Sequence, residues 1–113
     1  MSLAAGAVLA RVDALADPCA IVLTPDAANP FVSVIVTRRG DAIAAFRNKC
    51  PHAGYPLQRA DGRIALQEGR FMVCGAHGAS FDLDTGACAG GPCNGEPLER
   101  LAIIIRDGYV CVA

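Results

Sequence analysis

The chain has 113 residues, is 53% hydrophobic and carries a formal net charge of −1 with no basic run. That is enough for one domain with a modest core, and it argues against both disorder and a charged nucleic-acid-binding face. No apolar stretch approaches the roughly 20 residues needed to cross a bilayer.

The segment Met1–Ala16 is Ala-rich, has no positively charged start and contains Arg11 and Asp13. It does not read as a signal peptide, so a cytoplasmic location is expected. Short apolar runs at Val8–Val12 and Ala20–Leu23 suggest strands. Phe31–Arg38 alternates, which predicts a strand with Val32, Val34 and Val36 on one face. Arg39-Gly40-Asp41 then reads as a hairpin turn into Ala42–Phe46. The tripeptide also matches a cell-adhesion motif, but without a secretion signal the turn is the simpler reading. After a central region rich in Cys, His, Gly and Pro, Leu101–Arg106 and Tyr109–Val112 flank Asp107-Gly108, a strong type I′ turn signal. There is no amphipathic helical pattern, no repeat and no low-complexity linker. The expectation is an all-β antiparallel sandwich or small barrel forming a single domain over residues 1–113.

The central region carries the chemistry. Cys50 and His52 form a C-x-H pair, and Cys74 and His77 form a C-x-x-H pair; these are the only two histidines in the chain. In an extended loop, residues two apart point to the same side, so Cys50 and His52 both reach inward across Pro51. Gly75 bends the chain between Cys74 and His77. Two thiolates and two imidazoles suit zinc, copper or an iron–sulfur cluster rather than magnesium or calcium. Tetrahedral zinc fits this set. So does a [2Fe–2S] cluster with both cysteines on one iron and both histidines on the other. The order of the ligands differs from a usual zinc finger, because each loop supplies one of each type and neither pair lies in a helical pattern.

The segments Asn48-Lys49-Cys50-Pro51-His52-Ala53-Gly54-Tyr55-Pro56-Leu57 and Cys74-Gly75-Ala76-His77-Gly78-Ala79-Ser80-Phe81-Asp82-Leu83, with Gly90-Gly91-Pro92 after them, resemble the Rieske iron–sulfur family. The last segment is similar to the proline loop that covers the cluster in that family. The resemblance runs from about residue 30 to the C-terminus. It implies an all-β fold with an inserted cluster-binding subdomain, at about residues 47–94. It also implies one [2Fe–2S] cluster held by Cys50 and Cys74 on a buried iron, with His52 and His77 on the outer one. The 21 residues between His52 and Cys74 are more than in many Rieske ferredoxins, and we read the excess as a longer hairpin around Asp61-Gly62 and Glu68-Gly69.

High-potential members of the family carry an extra cysteine in each ligand loop, joined by a disulfide; Tyr55 and Ala76 stand there in this chain. They also carry serine and tyrosine donors where this chain has Ala79 and Phe81, with Ser80 adjacent. The resemblance therefore implies a potential at the low end of the Rieske range, roughly −150 mV. Cys19 and Cys111 read as small buried hydrophobes. Cys88 and Cys93 flank the cover loop; a disulfide or second metal is conceivable there, and two inert thiols are the expectation.

Within the family, the absence of an anchor, of an export signal and of further histidines points to a stand-alone protein. The expected function is a monomeric one-electron carrier, a Rieske ferredoxin between a reductase and a terminal oxygenase or similar enzyme, and not itself an enzyme. Tyr55, Pro56 and Pro92 are candidate rim residues at the electron exit. The alternatives are a small subunit bound to the catalytic subunit of a cytosolic reductase, resembling that of assimilatory nitrite reductase, and a zinc-stapled structural module.

Overall fold

A computed structural model describes residues 3–26, 28–29, 31–51, 54–93 and 95–113. Eleven strands are assigned among these residues: β1 (Val8–Arg11), β2 (Cys19–Leu23), β3 (Val34–Arg39), β4 (Ala42–Arg47), β5 (Ala65–Gln67), β6 (Phe71–Val73), β7 (Ser80–Asp82), β8 (Cys88–Gly90), β9 (Arg100–Leu101), β10 (Ile103–Arg106) and β11 (Tyr109–Val112). The only helical piece among them is one 3-10 turn, Val12–Ala14. The strands form three sheets, ordered β1-β11-β10, β2-β3-β4-β9 and β5-β6-β7-β8, and their paired neighbours run antiparallel.

The sheet β2-β3-β4-β9 has a hydrophobic core on each side. Val34, Val36 and Ala45 join Leu9, Leu15, Cys19 and Val110 in the first core. Ile35, Ala44 and Phe46 join Leu57, Met72, Phe81, Leu83, Cys50 and Cys74 in the second. Alternate residues of one strand therefore enter different cores, as the period of two requires. Val34 and Val36 share one face as expected, and the opposite face is buried as well. Val34, Ile35 and Val36 are all fully buried, and so is Thr37. The strand also begins later, because Asn29 ties down the preceding turn: its Oδ1 accepts the Phe31 N–H and its carbonyl the Val32 N–H.

The expected run Leu101–Arg106 is two strands. Leu101 pairs with Ala45 of β4, while Ile103 onward pairs with β11, so the chain changes sheets at Ala102. The turns match expectation more closely. Asp107 and Gly108 both have positive φ (53° and 79°) and close a two-residue hairpin between Arg106 and Tyr109, as a type I′ turn requires. The insertion before Cys74 contains a turn at Arg59–Arg63 and the β5–β6 hairpin. In the hairpin, Glu68 and Gly69 have φ of 56° and 61°, and the Arg70 N–H donates to Gln67 O.

Burial holds the layers together. Phe46 and Phe81 are fully buried, each contributing about 1.5–3 kcal/mol relative to exposure. Arg11–Asp13 is a surface ion pair with side chains 63% and 72% exposed, and such pairs contribute at most about 1 kcal/mol. Gly86 shows how close the packing is: a Cβ there would sit 2.5 Å from the Phe46 ring. A buried polar contact crosses between layers. The buried Thr37 hydroxyl donates to Leu83 O at 2.6 Å, linking β3 to the end of β7.

Cys19 is buried in the first core. Burial pushes its thiol above the usual range, outweighing the opposing pull of Arg38. A thiol raised in the folded state stabilises fully below the unfolded thiol's pKa, and that contribution fades as pH climbs through the folded value. Urea denaturation should therefore show a loss of stability at alkaline pH that Cys19→Ala reduces. Thr37→Val leaves the Leu83 carbonyl without its side-chain donor and should cost about 1–3 kcal/mol in the same assay.

Candidate metal centre

Cys50 lies just after β4, and Cys74 just after β6. Each opens a tight loop with the same hydrogen-bond pattern. The Cys50 N–H donates to Tyr55 O and the Gly54 N–H to Cys50 O, both at 2.8 Å. The Cys74 N–H donates to Ala79 O at 2.7 Å and the Gly78 N–H to Cys74 O at 3.0 Å. In both loops the residue four after the cysteine is a glycine with φ of 76°, in the left-handed region that favours glycine. Two stretches of sequence thus close on their cysteines through the same pair of hydrogen bonds.

The loops are tied to each other and to the base. The Gly75 N–H donates to Leu57 O at 2.9 Å. Gly75 lies in the turn between Cys74 and His77, as expected, and the left-handed residue that follows is Gly78. Gly75 also serves close approach, since a Cβ there would lie 2.9 Å from Arg59 Cγ and 3.2 Å from its Cα. Asn48, buried at the end of the first loop, accepts the Leu57 N–H on Oδ1 at 2.8 Å. Its Nδ2 donates to Ser33 Oγ at 3.0 Å and Gln58 Oε1 at 2.7 Å. The signal of Asn48 in the sequence is an amide just before the first ligand, but its partners Ser33 and Gln58 lie 15 and 10 residues away.

The polarity of the site is sharp. Cys50 and Cys74 are 1% and 2% exposed and share one apolar core, whereas His77 is exposed. The Tyr55 ring, itself 54% exposed, lies 5.7 Å from the His77 ring at 53°. Pro56 is exposed and Pro92 half-buried. His52, the remaining expected ligand, lies outside the described residues. Ala79 and Phe81 are fully buried in the core that contains the cysteines. Ser80 alternates to the other face of β7, where its Oγ lies 3.4 Å from the position of a Cβ on Gly90.

Cys88 and Cys93 are joined by a disulfide, with Cα atoms 6.1 Å apart, within the usual range for a bridge. The expectation of two inert thiols is corrected. β8 and the Gly-Gly-Pro turn fold the chain back on itself, so a separation of five residues brings the sulfurs together.

A pair of buried sulfurs behind an exposed imidazole, on twin loops, suits a cluster with unlike ends better than a tetrahedral ion held by a closed shell. The sequence matches the family model described as Rieske [2Fe-2S] domain over residues 10–105. The chain belongs to the Rieske [2Fe–2S] family. The cofactor of a Rieske domain is a single [2Fe–2S] cluster, and buried soft donors with an imidazole fit it. Among solved structures, the Rieske fold here is similar to the ferredoxin of carbazole 1,9a-dioxygenase from Nocardioides aromaticivorans IC177, with 24% identity, a TM-score of 0.75, and 97% of this chain and 98% of that chain covered. It is also similar to a Sphingomonas yanoikuyae B1 ferredoxin, with 27% identity, a TM-score of 0.73, and 95% and 96% covered. A chain in a complex of reduced oxygenase and oxidized ferredoxin in carbazole 1,9a-dioxygenase matches at 24% identity and a TM-score of 0.74, over 94% and 90%. No curated protein sequence matches significantly.

Asn48→Ala leaves the buried Leu57 N–H without its side-chain acceptor. Urea denaturation should show a loss of about 1–3 kcal/mol, and the visible absorbance of the loaded Rieske protein should bleach faster. An unchanged bleaching rate would show that Asn48 does not anchor the first loop.

Proposed function

We propose that the chain is a one-electron carrier, a Rieske ferredoxin passing electrons from a reductase to a terminal oxygenase or similar redox enzyme. In this reading Cys50, His52, Cys74 and His77 hold the cluster, within a subdomain of about residues 47–94. The protein acts as a monomer in the cytoplasm, and as a component of an oxidoreductase system rather than as an enzyme.

The observation that carries this reading is the contrast between the buried Cys50 and Cys74 and the exposed His77. A [2Fe–2S] cluster supplies a reversible one-electron couple. The chain holds one end of its site away from water through two sulfurs and presents the other at the surface through an imidazole. Electron transfer weakens steeply with distance, so an exposed ligand edge is where a partner gains by docking. Tyr55 leans on His77 and shares that surface with Pro56. Phe31, 93% exposed, lines a cleft of about 510 Å³ with Lys49, Gly54 and Pro56 beside the first loop. Apolar rings around an exposed ligand suit a partner that docks briefly and excludes water. The likeness to ferredoxins over nearly the whole of both chains supports the carrier role. The ferredoxin–oxygenase complex among the similar structures supports an oxygenase as partner.

Ala79 and Phe81 bring no hydroxyl to the buried side. Without such donors the more negative reduced state gains less, and the midpoint falls. Redox titration followed by electron paramagnetic resonance should show a Rieske-type signal only at low potential, with a midpoint of roughly −150 mV, and Ala79→Ser should raise it. A midpoint well above zero would overturn the low-potential reading. A full load of zinc without iron or acid-labile sulfide would overturn the cluster itself.

A further inference from the structure

We propose that the Cys88–Cys93 disulfide is a clasp that positions the cover loop on the second ligand loop, and so controls water access and potential at the centre. This rests on the cluster site proposed above.

The bond closes a ring around Ala89-Gly90-Gly91-Pro92. Gly91, the middle of that ring, lies directly against the second ligand loop. A Cβ on it would sit 2.8 Å from Ala79 Cα and 2.9 Å from Gly78 O. Its φ of 78° further restricts the position to glycine. Gly78 and Ala79 are the residues whose backbone groups close the Cys74 loop, through Gly78 N–H to Cys74 O and Cys74 N–H to Ala79 O. A displaced cover loop therefore acts on the two hydrogen bonds that shape the cysteine's surroundings.

Among the described residues, this segment has a single strand neighbour. β8 is three residues long, lies at the edge of its sheet and slips register against β7 between Ser80 and Phe81. Cys93 is 1% exposed and packs in the core that contains Cys50 and Cys74, while Cys88 is half-buried. The bond thus ties a weak edge strand to a core residue. So short a ring removes less unfolded-state entropy than a long one, which makes local positioning a better account of the bridge than global stability. Among the described residues, Tyr55 and Ala76 leave no cysteine for a bridge between the two ligand loops, and the cross-link here lies in the cover instead.

Two observations test the clasp on the full-length, cluster-loaded protein. Two of the six cysteines should alkylate in acid-unfolded protein only after reductant is added. Cys88→Ser opens the bond while leaving Cys93 in its core position. It should raise the midpoint, because admitted water favours the more negative reduced state, and it should speed loss of visible absorbance. Gly91→Ala, which forces the same loop outward without touching the bond, should shift both in the same direction. If Cys88→Ser fails to load, phosphine treatment of the unaltered loaded protein tests the bond by bleaching rate, and an unchanged rate overturns the clasp. Six thiols before reductant also overturn it, as does a full Rieske signal with an unchanged midpoint in Cys88→Ser. Absence of a Rieske signal in the unaltered protein would instead overturn the cluster reading, and the clasp with it.

Discussion

A sheet that must be dry on both faces constrains everything attached to it. Strands β2, β3 and β4 send alternate residues into two cores, Val34 and Val36 one way, Ile35 and Thr37 the other. An antiparallel sheet commonly leaves one face to water, and its strands then alternate cleanly. Here the second face is covered by the β5–β8 sheet and the ligand loops, so polar residues in the middle strands need partners inside the protein. Thr37 meets that demand by donating to Leu83 O, and the same bond registers the base against the layer that holds the cysteines. The site is therefore built on a rigid platform rather than on free loops, which is what a centre that must change charge with little rearrangement requires.

The ligand loops show how much of a metal site is backbone. Each begins where a strand ends, turns through a left-handed glycine and closes with a hydrogen bond to its own cysteine. Main-chain groups that would otherwise be unsatisfied near a dry core are paired within the loop itself. The side chains are then free to differ. The cysteines enter the apolar core, and His77 reaches the surface with Tyr55 beside it. This asymmetry gives the cysteine end low dielectric and leaves the His77 end open to water. The formal charge is only −1, and Tyr55, Pro56 and Phe31 are exposed.

Much of this was legible in the sequence wherever the determinants are local. Two spaced pairs of soft ligands announce a metal centre irrespective of fold, because ligand chemistry depends on residue type and short-range spacing. Asp107-Gly108 announces its turn because only residues tolerant of positive φ fit a two-residue hairpin. The strands β1–β4, β10 and β11 also came through, since apolar and β-branched runs between turn residues have few other uses, whereas β7 and β8, inside the ligand region, were not read as strands.

Other features depend on residues far apart in the chain. That β3 is buried on both faces, that Leu101 and Ile103 belong to different sheets, and that Gly75 packs against Arg59 all follow from which layers meet, and strand periodicity carries no record of that. Asn48 reads as an ordinary polar residue until Ser33, Leu57 and Gln58 surround it. Cys88 and Cys93 read as two loop thiols until the edge strand and the Gly-Gly-Pro turn bring their sulfurs together. By itself the sequence determined the two spaced Cys–His pairs, the all-β character and the tightest turns, because these depend on residue type and conformational preference over a few residues. Only the tertiary structure decided that Cys50 and Cys74 are dry, that His77 faces water and that Cys88 and Cys93 are joined, because burial and long-range pairing are properties of the packed chain.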